Sequence, residues 1–206
     1  MFALVESGSI TKMLSGKRGI TIGGNKYPRA IYTLWTKSER EAIGIYEVEF
    51  DNTNKKDEQW YINTNQSFAF AGGKITASYG SATAKAHADT LWTAQDETDG
   101  KGTEGEVKTE GLKTKLIRNV KAKANTLLSI TDWYVTRKTE KSTAIPSNIT
   151  TWRNGIRSKQ AAMETSITNA NDTPALETLY TYVNTADEGD PPVMERPLGE
   201  FPELGS

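Results

Sequence analysis

The residue types that most often carry enzyme chemistry are scarce in this sequence. Its 206 residues include one histidine, His87, and no cysteine. The missing cysteine excludes disulfides, thiolate nucleophiles and cysteine-ligated zinc, and a single imidazole cannot build a zinc site that needs two. We expect His87, which lies near Asp89, to be an ordinary surface or half-buried residue. The sequence therefore predicts no metal site and no cofactor.

Carboxylates are plentiful, but most of them fall in stretches that have the composition of solvated loops. Residues 96–110 hold six acids together with two lysines and three glycines, which is typical of a linker or mobile loop. A glycosidase or cell-wall hydrolase needs two carboxylates that converge in one cleft, and such a pair is invisible in a sequence. No serine, histidine and aspartate are ordered as a triad would require. We predict no catalytic residue and no enzyme activity.

Two glycine-containing stretches have only a superficial likeness to ligand-binding loops. Residues 19–25 lack the Gly-Lys-Ser/Thr ending of a phosphate loop, and a turn rather than a long helix is expected after them. Residues 98–103 lack the alternating acidic ligands and the distal glutamate of an EF-hand loop. Neither stretch carries a specific signal for a nucleotide or for calcium.

Aromatic and basic residues suit binding better than catalysis. The rings of Trp60, Tyr61 and Phe68 could stack on a carbohydrate, although packing a sheet against a helix is the more common role for such rings. Residues 113–159 contain eleven basic residues against two acids. A basic helical segment could meet nucleic acid or an acidic protein surface. Because aromatic residues are not interleaved as a stacking platform requires, we expect protein contacts and no nucleic acid.

The elements that would position these residues change in character along the chain. Residues 1–80 are predicted to form a β-rich N-terminal domain of short strands and turns, with Gly72-Gly73 as the strongest hairpin signal. Residues 81–110 are predicted to form a helix over residues 82–95, because that stretch is rich in alanine and free of glycine and proline, and then an acidic, glycine-containing linker.

The second half has the apolar spacing of helices. Residues 111–184 are predicted to form a helical hairpin domain, with a last short helix that starts at Thr173-Pro174. The apolar faces of the two long helices are predicted to be Leu112, Leu116, Val120, Ala124, Leu127 and Leu128 in the first, and Ile149, Trp152, Ile156, Met163 and Ile167 in the second. Residues 185–206 are predicted to be an extended tail, rich in proline and glutamate, that is disordered or held by another chain.

The expected fold class is α+β, in which an N-terminal antiparallel β-sheet region is followed by an α-helical hairpin and an extended C-terminal tail. The net charge of −1 and the absence of a long apolar run argue against a membrane partner. The first residues, Met1–Glu6, have neither a basic region nor a long apolar run, so we expect no signal peptide.

One segment of the second half resembles a known protein family. The run Leu127–Lys138 contains a leucine pair followed by Thr-Asp-Trp; a loop with Pro146 comes next, and then Trp152-Arg153 and Arg157. This order is similar to the C-terminal regions of phage tail-fibre assembly and tail-assembly-chaperone-like proteins. The stretch Tyr27-Pro28-Arg29, with Trp35 and the run Glu41–Val48, is similar to the front of many small phage tail proteins. Together the two stretches cover about half of the chain.

The resemblance implies a non-catalytic component or assembly partner of a phage tail or tail fibre. Its partner would be a tail or fibre protein, it would be oligomeric in the assembly, and it would be found in the virion tail or in the host cytoplasm during assembly. The alternative is a carbohydrate-binding module for receptor recognition. An exposed platform of Trp60, Tyr61 and Phe68 would favour the alternative, whereas burial of these rings would favour the first interpretation.

The motif residues are expected to have structural roles. In a closed hairpin Arg153 would be within reach of Asp132, Trp152 would pack against the leucine pair, and Trp133 would cover the open end of the hairpin. The complete set of motif residues is Thr131, Asp132, Trp133, Pro146, Trp152, Arg153 and Arg157.

Overall fold

The computed structural model describes residues 1–205, which fall into two compact units. The N-terminal unit is Met1–Thr83, and the C-terminal unit begins at Ala84. Strands dominate the first unit and helices the second, so the predicted α+β class is confirmed. Among residues 1–205, no helix combines the length and the apolar character that crossing a membrane would require.

The N-terminal unit is built from short elements joined by tight turns. Its strands are β1 (Phe2–Glu6), β2 (Ser9–Leu14), β3 (Ile20–Ile22), β4 (Asn25–Tyr27), β5 (Ile45–Asp51), β6 (Tyr61–Ile62), β7 (Gln66–Ala71) and β8 (Lys74–Tyr79), and β9 (Thr83–Ala84) lies at the division between the units. Its helices are α1 (Ile31–Leu34) and α2 (Lys37–Ala42).

The main sheet of this unit has five strands in the order β2-β1-β5-β8-β7. Three of its four pairings are antiparallel, but β5 pairs with β8 in parallel, which corrects the expected antiparallel pattern at one place. Gly72 and Gly73 have φ angles of 56° and 76° and close the β7–β8 hairpin, as the sequence indicates. Local turn chemistry fixes that hairpin, whereas tertiary packing decides which of its two strands meets β5.

Both faces of the sheet bury apolar side chains. One face packs against α1, and the edge strands β2 and β7 approach each other. The core on the α1 side consists of Leu4, Leu14, Ile20, Ile31, Tyr32 and Ile45, and the opposite core consists of Ala3, Val5, Val48, Ile75 and Ala77. Alternation along β1 and β5 supplies both cores, since successive side chains point to opposite faces.

The C-terminal unit is mainly helical. Its helices are α3 (Ala94–Thr98), α4 (Leu112–Ser129), α5 (Asp132–Lys141), α6 (Ser147–Asn169) and α7 (Thr173–Tyr180), and its short strands are β10 (Thr90–Leu91), β11 (Val107–Thr109), β12 (Val183–Asn184) and β13 (Met194–Glu195). Strand β10 pairs with β11, and β12 pairs with β13. Helices α4 and α6 pack against each other and form the core of the unit.

The helix predicted over residues 82–95 is wrong. This segment contains only two short strands, Thr83–Ala84 and Thr90–Leu91, and a helix begins only at Ala94. The carbonyls of Ala86 and His87 accept hydrogen bonds from the amides of Leu112 and Lys113, each at 2.9 Å. The segment is therefore held against the first turn of α4, where it satisfies amides that have no partner inside that helix. This tertiary pairing outweighs the helix propensity of alanine.

The acidic stretch predicted to be a linker is folded instead. Thr93 and Asp96 form a capping box at the start of α3, and β10 and β11 close the segment. A Cβ atom on Gly102 would lie 2.5 Å from the indole ring of Trp92, so the chain passes directly over this ring. The glycines permit close packing here, whereas their number suggested mobility.

The predicted helical hairpin is present in its two long arms but differs in its connection. The predicted apolar faces are buried on α4 and α6, except that Leu127 and Leu128 are only half-buried. A third helix, α5, occupies the connection where a short loop was expected. The last short helix begins at Thr173 with Pro174 in its first turn, as predicted, and the side chain of Asp172 accepts a hydrogen bond from the amide of Ala175.

The segment predicted to be a free or partner-held tail is held by its own chain. Strands β12 and β13 form a small hairpin, and the side chain of Leu198 after it is only 3% exposed. The amide of Leu198 donates to the carbonyl of Leu179 at 3.0 Å. Burial of one leucine and pairing of its backbone supply an anchor that the low periodicity of the segment did not reveal.

Candidate functional site

Arg153, the seventh residue of α6, organises the end of α4. Its side chain is buried, and its guanidinium donates three hydrogen bonds across the turn between α4 and α5. The acceptors are the Leu128 carbonyl at 2.8 Å, the Thr131 hydroxyl at 2.7 Å and the Asp132 carboxylate at 2.9 Å. The Leu128 carbonyl is one of the acceptors that a helix leaves free at its C-terminus. The planar guanidinium of arginine carries several donors and can therefore bind all three acceptors at once.

Thr131 and Asp132 complete this cluster, which we call the Arg153 turn (Leu128, Thr131, Asp132 and Arg153). Thr131 is 2% exposed, and its hydroxyl also donates to the Leu128 carbonyl at 3.2 Å. The expected approach of Arg153 to Asp132 is confirmed. The result is a rigid joint that sets the direction in which α5 leaves α4.

Trp152 lies beside the Arg153 turn and connects it to the C-terminal segment. Its ring packs in a cluster with Ala124 and Ile156, against the half-buried Leu127 and Leu128, as the sequence predicts. The ring also makes a polar contact that the sequence did not indicate, in which the indole Nε1 donates to the carbonyl of Pro202 at 2.9 Å. Neighbouring residues at the start of α6 therefore hold both the α4–α5 turn and the last residues of the chain.

The C-terminal segment has a second, charged anchor that the sequence did not reveal. Glu200 accepts hydrogen bonds from the Tyr182 hydroxyl at 2.5 Å and pairs with Arg196 at 2.7 Å. Burial favours the neutral carboxyl, but the Tyr182 hydrogen bond and the charges of Arg196 and Lys123 outweigh it and lower the pKa of Glu200. Donation to Glu200 raises the pKa of Tyr182 above its ordinary value.

Helix α5 itself has an unusual environment, because none of its ten residues is buried. Trp133 and Val135 are 51% and 41% exposed, and Ile130 in the preceding turn is 58% exposed. The Arg137 guanidinium lies over the rings of Trp133 and Tyr134, 4.8 Å and 5.0 Å from their centroids. The expectation that Trp133 covers the open end of the hairpin is wrong, because its side chain turns outward and packs on α5.

The remaining motif residues lie outside the Arg153 turn. Pro146 precedes α6 as its N-cap residue, with an extended ψ of 142°. Arg157 is exposed, and its guanidinium donates a long hydrogen bond of 3.4 Å to the Asn154 side chain. The motif thus separates into a buried joint, a helix start and an outward helix face.

The aromatic residues singled out for carbohydrate stacking do not form one platform. Trp60 and Tyr61 are 3% and 5% exposed, whereas Phe68 is 37% exposed. Phe68 lies in register with Ala77, which in turn lies in register with Phe50. Phe50, which the sequence analysis did not single out, is 52% exposed. Two phenylalanines, only one of which belongs to the expected set, therefore flank a buried alanine in the sheet.

The residues considered for catalysis, His87 and Asp89, have structural roles. The backbone carbonyl of His87 caps α4, and the carboxylate of Asp89 accepts from the Gly111 amide at 2.6 Å and the Thr114 hydroxyl at 2.7 Å. These hydrogen bonds lower the pKa of Asp89. Within residues 1–205, no three histidine or acidic side chains gather as a metal site would need.

No protein family, no curated protein and no solved structure matches this chain.

Proposed function

We propose that this protein is a non-catalytic adaptor or assembly partner of a bacteriophage tail or tail fibre, and that it binds its partner through helix α5. The observation that carries the proposal is that α5 presents Trp133 and Val135 to solvent and buries no residue of its own. The phage context is supported by the resemblance of the segment Leu127–Arg157, within which α5 lies.

The physical argument begins with the length of α5. A helix of ten residues is marginal in water on its own, and most helical stability comes from burying an apolar face. Helix α5 has no buried face. Instead, the Arg153 turn holds its first residue, Asp132, in place. A helix held in this way loses little freedom when it binds, because its orientation is already set.

The exposed side chains suit the centre of a protein interface. Tryptophan, tyrosine and arginine are the residues that dominate interface energies, and α5 presents Trp133, Tyr134 and Arg137 as one stacked group. The Trp133 and Tyr134 rings are 3.8 Å apart between centroids. Ile130, three residues before Trp133, is also exposed, so apolar side chains are exposed on both sides of the Arg153 turn.

Charge on α5 indicates what should surround these apolar side chains on the partner. Helix α5 carries three basic residues, Arg137, Lys138 and Lys141, and two acids, of which Asp132 is already paired with Arg153. We infer a partner surface with an apolar groove and an acidic rim, which is the geometry of a helix laid in a groove.

The carbohydrate-binding alternative loses most of its support from the burial of Trp60 and Tyr61. Sugar-stacking rings must present a face to solvent, and of the three candidate rings only Phe68 is more than a third exposed. We therefore place the interaction on α5 rather than on these rings.

The experiment is copurification from cells infected with the phage that encodes this chain, followed by quantitative mass spectrometry of the virions. We expect the protein to copurify with a tail or fibre subunit, and its copy number in virions separates a resident adaptor from a transient assembly partner.

Trp133→Ala should weaken the complex about 30-fold, as loss of a central aromatic does. The matched control is Phe50→Ala, since Phe50 and Trp133 are 52% and 51% exposed. Equal loss with both variants, or no tail protein in the complex, would contradict the proposal.

A further inference from the structure

The N-terminal unit contains a long stretch in which all charges have one sign. From Ser7 to Ser38 the sequence has six basic residues and no acid. These residues are Lys12, Lys17, Arg18, Lys26, Arg29 and Lys37. Within residues 1–205, only Lys37 among them forms an ion pair, with Glu41 at 3.7 Å. Five cations are therefore left without a carboxylate partner, although acids and bases balance closely over the whole chain.

Two of these cations line a cleft. The cleft has a volume of about 380 Å³, and Lys12 and Arg18 lie on its walls. Three hydroxyl-bearing side chains, those of Ser15, Thr21 and Tyr32, also line it, and none of its lining residues is acidic. The cleft therefore combines positive charge with hydroxyl groups and has no carboxylate of its own to compete for them.

The loop that forms one wall is drawn tightly against the core by two glycines. Gly16 has a φ of +72°, and a Cβ on it would lie 3.3 Å from the ring of Phe2. A Cβ on Gly19 would lie 2.5 Å from the carbonyl oxygen of Tyr27. Only glycine permits such close approaches. The backbone of residues 15–19 is thus fixed beside the cleft.

A third cation belongs to the same surface. Thr21 on β3 is paired in register with Lys26 on β4, and paired residues of a ladder share a face. Thr21 lines the cleft, so Lys26 lies directly across the hairpin from a residue of the cleft, although Lys26 is not itself part of the lining. Burial raises the pKa of Tyr32, so its hydroxyl keeps its proton and remains a donor at neutral pH.

We propose that this cleft, which we call the Lys12–Arg18 cleft, binds a small molecule that carries a phosphate group. Phosphate oxygens accept strong, charge-assisted hydrogen bonds from arginine and lysine, and hydroxyl groups add neutral ones. The volume is at the lower end of the range for small-molecule sites, which leaves space for a modest organic group beside the phosphate. The site differs from a nucleotide phosphate loop, since the short strand β3 rather than a long helix follows it.

The geometry favours a small ligand over a polymer. The aromatic ring that lines the cleft, Tyr32, is only 7% exposed and cannot stack on a nucleobase. Tyr27, the next ring along the hairpin, is half-buried against Trp35. A nucleic acid would therefore be held by its phosphates alone, and a concave cleft suits a single phosphate better than a continuous backbone.

The test is a titration of the full chain with pyrophosphate at constant ionic strength, followed by amide chemical shifts in ¹H–¹⁵N spectra. We expect saturable shifts that are confined to residues 12–21 and Lys26. Lys12→Gln and Arg18→Gln should each weaken binding about tenfold, as the loss of one charge-assisted hydrogen bond does. The control is Lys74→Gln, which removes the same charge from a lysine of the same unit that is paired with Glu49 at 3.5 Å.

A second variant tests the hydroxyl groups without changing the charge. Thr21→Val keeps the branched shape that a strand prefers and should weaken pyrophosphate binding severalfold. The proposal is overturned if the shifts are linear and spread over all lysines, or if chloride produces the same shifts. It is also overturned if a single-stranded oligonucleotide or a glutamate-rich peptide binds through Lys12 and Arg18 while pyrophosphate does not.

Discussion

Arg153 and Asp132 are joined by a hydrogen bond of 2.9 Å, yet their side chains are 9% and 59% exposed. The ion pair is therefore open to solvent on the acidic side, where water and salt weaken it. The other two bonds of Arg153, to the Leu128 carbonyl and the Thr131 hydroxyl, are shielded. We infer that Arg153 stabilises the turn mainly as a buried donor and only secondarily as a charge partner of Asp132.

Two substitutions should separate these contributions. Arg153→Ala should lower the free energy of unfolding by about 3 kcal/mol, because it removes two shielded hydrogen bonds, to the Leu128 carbonyl and the Thr131 hydroxyl, together with packed methylenes. Asp132→Asn should lower it by less than about 1 kcal/mol, since exposed pairs contribute little. Urea unfolding at neutral pH measures both. Similar losses in the two variants would show that the ion pair, rather than the buried hydrogen bonds, stabilises the turn.

Trp152→Phe should loosen the C-terminal segment without breaking the helical core. Phenylalanine keeps an apolar ring next to Ala124 and Ile156 but has no donor for the Pro202 carbonyl. We expect a loss of about 1 kcal/mol, and faster hydrogen exchange at the amides of residues 198–205 with little change in α4.

A matched control for this variant lies on the charged anchor of the same segment. Tyr182→Phe removes the hydroxyl that donates to Glu200 and leaves Trp152 intact. It should loosen the same residues from the other side. If Trp152→Phe accelerates exchange equally in α4 and α6, the indole supports the helix pair rather than the segment.

Stability should fall at acid pH through Asp89. Hydrogen bonds from the Gly111 amide and the Thr114 hydroxyl hold its folded pKa below its ordinary value. A lowered folded pKa means that the carboxylate contributes stability above the unfolded pKa, about 3.9. This contribution is lost as the pH falls through the folded pKa. Urea midpoints measured between neutral pH and pH 2 should therefore drop less steeply in Asp89→Asn.

The control for the acid series is Asp190→Asn. The Asp190 side chain makes no hydrogen bond or ion pair within residues 1–205, so its removal should leave the slope with pH unchanged. Parallel curves for Asp89→Asn and the unaltered protein would show that other carboxylates carry the acid dependence.

Helical periodicity predicted the apolar faces of α4 and α6, since these helices are long and their apolar residues recur on one side. The pairing of Arg153 with Asp132 could be predicted because both residues lie next to that face. The outward position of Trp133 could not, because an apolar residue at the surface has the same sequence signal as a buried one.

The features that the sequence analysis predicted wrongly or missed share a physical cause. Residues 82–95 have helical composition, but their carbonyls and Asp89 satisfy the start of α4, a helix that lies later in the chain. The Lys12–Arg18 cleft was missed because its cations are ordinary surface residues until the β3–β4 hairpin brings Lys26 beside Thr21. Contacts between distant segments leave no periodic mark in the sequence.

The close approach of Gly111 to Ala88 provides a direct test of this tertiary capping. A Cβ on Gly111 would lie 2.3 Å from the carbonyl carbon and oxygen of Ala88, which are backbone atoms that cannot rotate away. Gly111→Ala should therefore lower the free energy of unfolding by about 2 kcal/mol or more and expose the first amides of α4 to exchange. Ala88→Gly should not rescue it, because the clash involves the carbonyl and not the methyl group.

The control is Gly155→Ala inside α6, where the new Cβ meets the Pro202 ring at 3.2 Å. There the gain in helix propensity offsets the crowding, and the change should be within about 1 kcal/mol. A mild effect at Gly111 would mean that residues 86–89 do not cap α4 in solution.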